Sequence, residues 1–255
     1  KRLRDEGKTI ILITHKLREI MDTTDTVSVM RRGKMTDTVK TADTNPEQLA
    51  ELMVGRKVLL RIDKSAAHPG KVLLHVEGLQ VTDEAGVLRL KGVSFDIKAG
   101  EILGIAGVAG NGQSELLEVL GGYRTAQGKI LVNGAPIDIS GQNADGQSRR
   151  KHGIAHVPED RQRAGLIMDF AAWENIAFGY HTDVKYQSGV FINNAAIKQD
   201  AGEKMQRFDV RPLNHNLTAK SFSGGNQQKL VLAREIERDP DILLVGQPTR
   251  GVDIG

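Results

Sequence analysis

The chain has 255 residues, 39% hydrophobic and 26% charged, with a formal net charge of +3 at pH 7, an ordinary globular composition with length for one large domain or two modest ones. The absence of cysteine excludes disulfides and cysteine–zinc sites, and no apolar run reaches the roughly 20 residues that span a bilayer. Aromatics at 4%, with a basic excess confined to the first 65 residues, exclude the stacking surface and dense basic stripe of a nucleic-acid binder.

Residues 1–7 (KRLRDEG) read as the end of a helix, and this charged opening has the character of the middle of a longer protein rather than of a signal peptide. TIILIT (9–14) is apolar without alternation, which predicts a strand buried on both faces, with His15 just past its end. A short helix over 16–22, a hairpin over 26–39 turning at Gly33, and a helix over 47–54 opened by Pro46 follow. Residues 56–71 mix charge, small residues and a Pro-Gly pair, as a linker does.

Strands are predicted at 72–79 and 87–97. EILGIAG (101–107) reads as a second fully buried strand, opening into GVAGNGQS (107–114) and then a helix, ELLEVLGG. Asn133-Gly134 marks a hairpin within 128–139. Residues 143–220 are polar and predicted largely helical. SFSGGNQQKLVLAREIERD (221–239) reads as a helix with a glycine-rich start, and DILLV (241–245) as the last strand. Buried strands separated by helices imply a parallel sheet with helical crossovers.

Residues 107–114 match G-x-x-x-x-G-K-[ST] except that Gln113 stands where lysine is expected. Gly107, Gly110 and Gly112 let the backbone turn so that several N–H groups, Asn111's among them, converge on one point. The helix N-terminus adds partial positive charge there. Ser114 is placed to reach a magnesium ion, weakly held here. A tight strand–helix turn that binds nothing uses the same glycines. Ser223, Gly224 and Gly225 open the later helix in a similar way, and plain helix capping is the competing reading.

Taken together, these stretches resemble the ATP-binding subunit of an ABC importer, an α/β P-loop NTPase with a mainly parallel core sheet, an antiparallel β subdomain and a helical subdomain. The loop 107–114 resembles Walker A. SFSGGNQQKLVLARE resembles the ABC signature, in which Ser221, Phe222, Ser223, Gly224, Gly225 and Gln227 take the motif positions. DILLVGQPTRGVD resembles Walker B followed by the D-loop around Asp253. TIILITHKLREIMDTTDTVSVMRRGK is similar to the H-loop strand and closing hairpin of a preceding ABC domain, with His15 as the switch histidine and a catalytic contact to the γ-phosphate. HVPEDRQRAGLI (156–167) is similar to the second domain of the sugar and nucleoside importer branch, with Glu159 at the Q-loop position. GNGQSE and VGQPTRGVD stand nearer to guanosine- or purine-type nucleoside importers than to ribose or galactose ones.

The resemblance implies that 1–55 closes a first ABC domain, that 56–71 links, and that 72–255 is a second domain cut after the D-loop. It implies ATP and magnesium as ligands. Implied partners are the first ABC domain of the same parent, membrane permease subunits and, indirectly, an extracytoplasmic solute-binding protein, with no nucleic acid. The implied location is the cytoplasmic face of the membrane, with 160–205 contributing to the permease surface. In this pattern Gly246 and Gln247 stand where the magnesium aspartate and general-base glutamate belong. The second-domain site is therefore expected to bind weakly and scarcely hydrolyse, while its signature serves the first domain's site. The alternative is a nucleotide-sensing or structural domain that never turns over. TIILIT is further expected to dock beside DILLV and complete its sheet.

Overall fold

The structure, a computed structural model, describes residues 2–31, 33–57 and 66–249. It divides into two compact units, one reaching to Ala66 and the other running from Ala67 through the remaining described residues. Arg250 to Gly255, including the expected D-loop Asp253, lie outside the described residues.

The first unit contains α1 (Arg2–Asp5), α2 (Leu17–Thr23), the antiparallel strands β1 (Thr26–Arg31) and β2 (Lys34–Lys40), and α3 (Pro46–Val54). Asn45 caps α3 by accepting from the Gln48 N–H, and Pro46 occupies the first turn, where its missing donor costs nothing. Leu17, Ile20, Val29, Leu49 and Ala50 form a small core. The expected strand at 9–14 is not formed: these residues have no ladder partner, and Ile11 and Ile13 are 89% and 94% exposed. A strand buried on both faces needs a neighbour at each edge and cover above and below. The one sheet of this unit among the described residues is the β1–β2 hairpin. The expectation that 9–14 completes the sheet of 241–245 presupposes this strand, which these residues do not form.

The second unit begins with a four-stranded antiparallel sheet in the order β4–β3–β5–β6, formed by β3 (Val72–Thr82), β4 (Leu88–Lys98), β5 (Gln127–Val132) and β6 (Ala135–Pro136). Positive φ at both Asn133 and Gly134 makes the β5–β6 connection the tight turn that the Asn-Gly pair predicts. Between β4 and β5, α4 (Gln113–Gly121) turns Leu116, Val119 and Leu120 onto this sheet. A parallel pair follows: β7 (Ile154–Val157) beside β10 (Ile242–Val245), in the register Ile242↔Ile154 to Val245↔Val157.

The helical part lies between those two strands in sequence. It comprises α5 (Gly146–Lys151), α6 (Ala172–Ala177), the two-residue strands β8 (Gln187–Ser188) and β9 (Phe191–Ile192), α7 (Asn194–Arg207) and α8 (Gly224–Ile236). Its core joins Val157, Ile176, Met205, Phe222, Leu230 and Val231. The tip of the β8–β9 hairpin is apolar and bare, with Val190 93% and Phe191 76% exposed.

Two sequence expectations change here. Residues 101–107 form no strand, and Ile102 and Ile105 are 81% and 52% exposed. The parallel pairing occurs instead between 242–245 and 154–157, and this second strand lies inside the region expected to be largely helical.

Candidate functional site

The C-terminal ends of β7 and β10 and the N-terminus of α4 meet at one place. Gly112 begins the helix with φ of 100°, and a Cβ there would lie 2.9 Å from Leu90 Cδ2 and 3.0 Å from the Arg89 carbonyl oxygen. Only glycine combines that conformation with that approach. The turn is closed by Asn111 N–H donating to the Val108 carbonyl. The Gln113 side-chain amide donates to the same carbonyl at 3.2 Å, so it folds back across the loop from inside. It lies in the space that the missing side chain of Gly107 leaves open.

Ser114, one residue further on, donates from Oγ to Glu159 Oε2 at 2.8 Å. Glu159 stands two residues beyond β7. Its other carboxylate oxygen accepts from the Gln247 side-chain amide. Gln247 itself has φ of 45°, a left-handed conformation rare outside glycine. Gly246, between β10 and Gln247, donates its N–H to the Val157 carbonyl at 2.9 Å, which brings the two strand ends together. Ser114, Glu159 and Gln247 are thus joined by one carboxylate, while Gln113 is committed to its own loop.

Two oxygens 2.8 Å apart match neighbouring corners of a magnesium octahedron, whose ligands stand about 2.0–2.1 Å from the ion and so about 3 Å from each other. Ser114 Oγ and Glu159 Oε2 therefore fit as two ligands of a hard divalent cation. No group of three or more His, Asp or Glu residues suited to a metal occurs among the described residues. Such an ion would complete its shell with phosphate oxygens and water.

The glycine-rich start of α8 lies in the helical part. Ser223 is its N-cap: Oγ accepts from the Asn226 N–H at 3.5 Å and from the Asn226 side-chain amide at 2.9 Å. Ser223 is exposed and Gly224 and Gly225 are half-buried, whereas Phe222 is buried in the core. Ser221 Oγ pairs with Thr218 Oγ1 at 3.0 Å. Gln227 is buried. Its amide donates to the Ala219 and Phe222 carbonyls, and its oxygen accepts from Gln162 at 3.0 Å, which ties α8 to the turn at 161–165. Gln162 falls within the 156–167 stretch read by resemblance, but that reading gives it no role. His15 belongs to the first unit and is exposed before α2. The structure therefore brings together 107–114, Glu159, Gly246 and Gln247, and holds Ser221–Gln227 as a separate cluster. Leu117, which packs beside Gly246, reads in sequence only as an apolar helix position.

At the opposite, N-terminal ends of β7 and β10 lies a cavity of about 530 Å³, lined by Arg150, Tyr180, Asp183, Lys185, Arg238 and Asp241 among others. Tyr180 donates to Glu235 at 2.6 Å, and Arg238 pairs with Asp183 and stacks over the Tyr180 ring at 4.2 Å.

Residues 90–250 match the model of the ABC transporter family. Over 258 residues the whole chain is 44% identical to the nucleoside import ATP-binding protein NupA of Lactococcus lactis subsp. cremoris, covering 50% of it. It is 42% identical to the glucose import ATP-binding protein TsgD13 of Haloferax volcanii, again over its full length and covering 46% of the relative. The chain thus spans about half the length of these curated relatives. Among solved structures, the dimeric structure of MJ0796, a bacterial ABC transporter cassette, superposes with a TM-score of 0.59 at 24% identity, covering 71% of this chain and 76% of that one. That likeness shows the P-loop NTPase fold of an ABC ATPase. On the family match over residues 90–250, the chain belongs to the ABC transporter family.

Proposed function

We propose that this chain is a nucleotide-binding part of the energising subunit of an ABC importer for nucleosides or simple sugars, and that its own nucleotide site binds weakly and scarcely hydrolyses. The observation that carries the reading is the end of β10. The two positions beside Glu159 there are Gly246 and Gln247, and neither has a carboxylate to anchor a metal or activate water. Loss of a general base alone costs about 10²–10⁴-fold in rate. Gln113 brings no charge to the developing anion, which adds to that loss.

In this reading Gly107, Gly110, Asn111, Gly112, Gln113, Ser114 and Glu159 receive the phosphates of ATP with magnesium. Ser221, Phe222, Ser223, Gly224, Gly225 and Gln227 form the signature surface offered to a competent site on a neighbouring ABC domain of the parent. His15 and Asp253 are assigned to that competent site by resemblance. The bare apolar tip around Val190 and Phe191 belongs to the surface that meets the membrane subunits, on the cytoplasmic side. The nucleoside or sugar class comes from the names of the relatives, NupA and TsgD13.

The test is nucleotide binding to the purified chain beside a phosphate-release assay. Saturable binding with phosphate release no faster than a no-protein control supports the reading. Brisk ATP consumption, or no nucleotide binding under any condition, overturns it.

A further inference from the structure

We infer that Asn111 is a site of spontaneous covalent modification: the backbone nitrogen of Gly112 attacks its side-chain amide and converts it to a carboxylate, and nucleotide in the loop protects it. The modification rests on the loop's own geometry. The protection, and the loss of binding that the new charge brings, rest on the reading above that residues 107–114 receive phosphate.

Asparagine followed by glycine meets least steric resistance in this reaction, because glycine sets no side chain beside the attacking nitrogen. The sequence holds two such pairs, Asn111-Gly112 and Asn133-Gly134. The Gly112 nitrogen loses its proton to solvent hydroxide and bonds to Asn111 Cγ. The bond from Cγ to the side-chain nitrogen breaks, ammonia leaves, and a five-membered succinimide remains. Water then opens the ring. Opening at Cγ leaves aspartate; opening at the main-chain carbonyl leaves isoaspartate, in which the backbone runs through the side chain. In sum a water enters, an ammonia departs, and a neutral amide becomes an anion.

Three features of the loop favour the reaction. The reacting groups are free: Asn111 is exposed, and among the described residues neither its side chain nor the Gly112 N–H makes a hydrogen bond. The polar side chains that follow are engaged elsewhere, Gln113 with Val108 and Ser114 with Glu159. There is also room. Asn111 stands between glycines with φ of 90° and 100°, and a Cβ on Gly110 would meet nothing within 4 Å, so the ring closes without pushing on a packed neighbour at that side. The last feature is charge. The deprotonated nitrogen and the tetrahedral adduct are both anions, and they form at the N-terminus of α4, whose unpaired N–H groups and partial positive charge stabilise an anion. The Glu159 carboxylate opposes this, but it accepts from both Ser114 and Gln247, which offset part of its charge. Asn133-Gly134 turns a hairpin between β5 and β6 and has no helix end beside it. What suits the loop to phosphate therefore also promotes its own hydrolysis.

The product changes the site. Aspartate or isoaspartate at 111 sets a carboxylate among the N–H groups that would receive phosphate, and no Lys or Arg occurs in residues 107–120 to offset it. A bound phosphate in turn occupies those N–H groups and excludes hydroxide, so nucleotide keeps the site unmodified.

The experiment incubates the full 255-residue chain at neutral pH and follows conversion at each asparagine by peptide mass spectrometry, in buffer, in urea, and in buffer with magnesium and ATP raised until its effect saturates. The urea arm corrects for the different residues before each asparagine, Gly110 and Val132. The ratio of the rate at Asn111 to that at Asn133 is expected to be at least about threefold higher in buffer than in urea. A smaller increase overturns the inference. ATP should slow conversion at Asn111 by at least about threefold and leave Asn133 unchanged. If the first comparison holds and ATP gives no protection, the modification site stands and the reading that the loop receives phosphate falls. Asn111→Asp, compared with Asn111→Ser in equilibrium dialysis of labelled ATP, should bind at least about threefold more weakly, with the thermal transition checking that both fold. Equal binding by the two variants removes the loss of function from the proposal.

Discussion

Acid should weaken this fold through one histidine. His156 lies on β7 with neither ring nitrogen hydrogen-bonded and its ring 5.2 Å from that of Tyr123. Burial is the main cause that lowers its pKa from 6.5 to about 4; Glu235 pulls it back up, Arg150 and Arg234 push it further down, and Glu118 opposes them. The unfolded chain therefore takes up a proton below pH 6.5 that the folded chain refuses until about pH 4. In that window the unfolded state binds more protons, so stability falls as pH falls. Between pH 7 and pH 5 the loss from this residue amounts to about 2 kcal/mol, at 1.36 kcal/mol per pKa unit. The perturbation is His156→Phe, which keeps a ring against Tyr123 and removes the titration. The assay is urea denaturation of both proteins at pH 7 and pH 5, following the transition of the second unit. Carboxylates that titrate in the same range contribute equally to both proteins and cancel in the comparison. The wild-type protein should lose about 2 kcal/mol more than the variant on acidification. Parallel losses would show that His156 is hydrated or paired in the folded state, and would refute the argument.

Two further substitutions probe the packing around the site. Gln227→Leu keeps the volume but leaves the Phe222 carbonyl without its buried amide donor and removes one of the two donors to the Ala219 carbonyl; a loss of about 2 kcal/mol in chemical denaturation is expected, and a loss below about 0.5 kcal/mol would show that water replaces the glutamine. Gly122→Ala should cost at least about 2 kcal/mol, because φ is 78° and the new Cβ would meet the Asp145 carbonyl carbon at 2.4 Å; a melting temperature matching wild type would contradict both constraints.

What was legible in the sequence is what local chemistry decides. Asn45 with Pro46, Ser223 before Gly224, and Asn133-Gly134 each mark a cap or turn whose donors and acceptors lie within a few residues, and each forms as read. The loop 107–114 was legible for the same reason. Strands are decided at long range, and there the reading divides. DILLV forms β10 because Ile154–Val157 is available as its ladder; TIILIT and EILGIAG have equally apolar sequences and no such partner among the described residues. Hydrophobic runs report the wish to be buried but not the identity of the neighbour. The same limit hid β7. Its four residues are too few for a period, and polar segments flank them. Resemblance assigned Glu159 and Ser114 to one site, but their hydrogen bond across 45 residues and the contact of Leu117 with Gly246 carry no local signal.

The three departures at the candidate site differ in how deeply they are fixed, and that difference bears on whether hydrolysis can be put back. Gln113 is held by one hydrogen bond to its own loop, and a lysine could take its path. Gln247 is exposed, and its side chain reaches Glu159 from a strained backbone, so glutamate there would face another carboxylate but would meet no wall. Gly246 is different, since the space for its side chain is already filled by Leu117 and by the backbone of Glu159. Restoring lysine, aspartate and glutamate at 113, 246 and 247 together is therefore predicted to leave phosphate release at the wild-type level. Adding Leu117→Ala should not rescue it, because that change clears the leucine methyl and leaves the Glu159 nitrogen 2.9 Å from the new Cβ. If the triple variant hydrolyses ATP at a rate at least about tenfold above wild type, then the strand end yields to aspartate and the silence of the site lies in the three side chains alone. If it stays silent while still folded and still binding nucleotide, the missing acid is a property of how β7 and β10 close on each other, and no exchange of side chains at the surface of the site will return it.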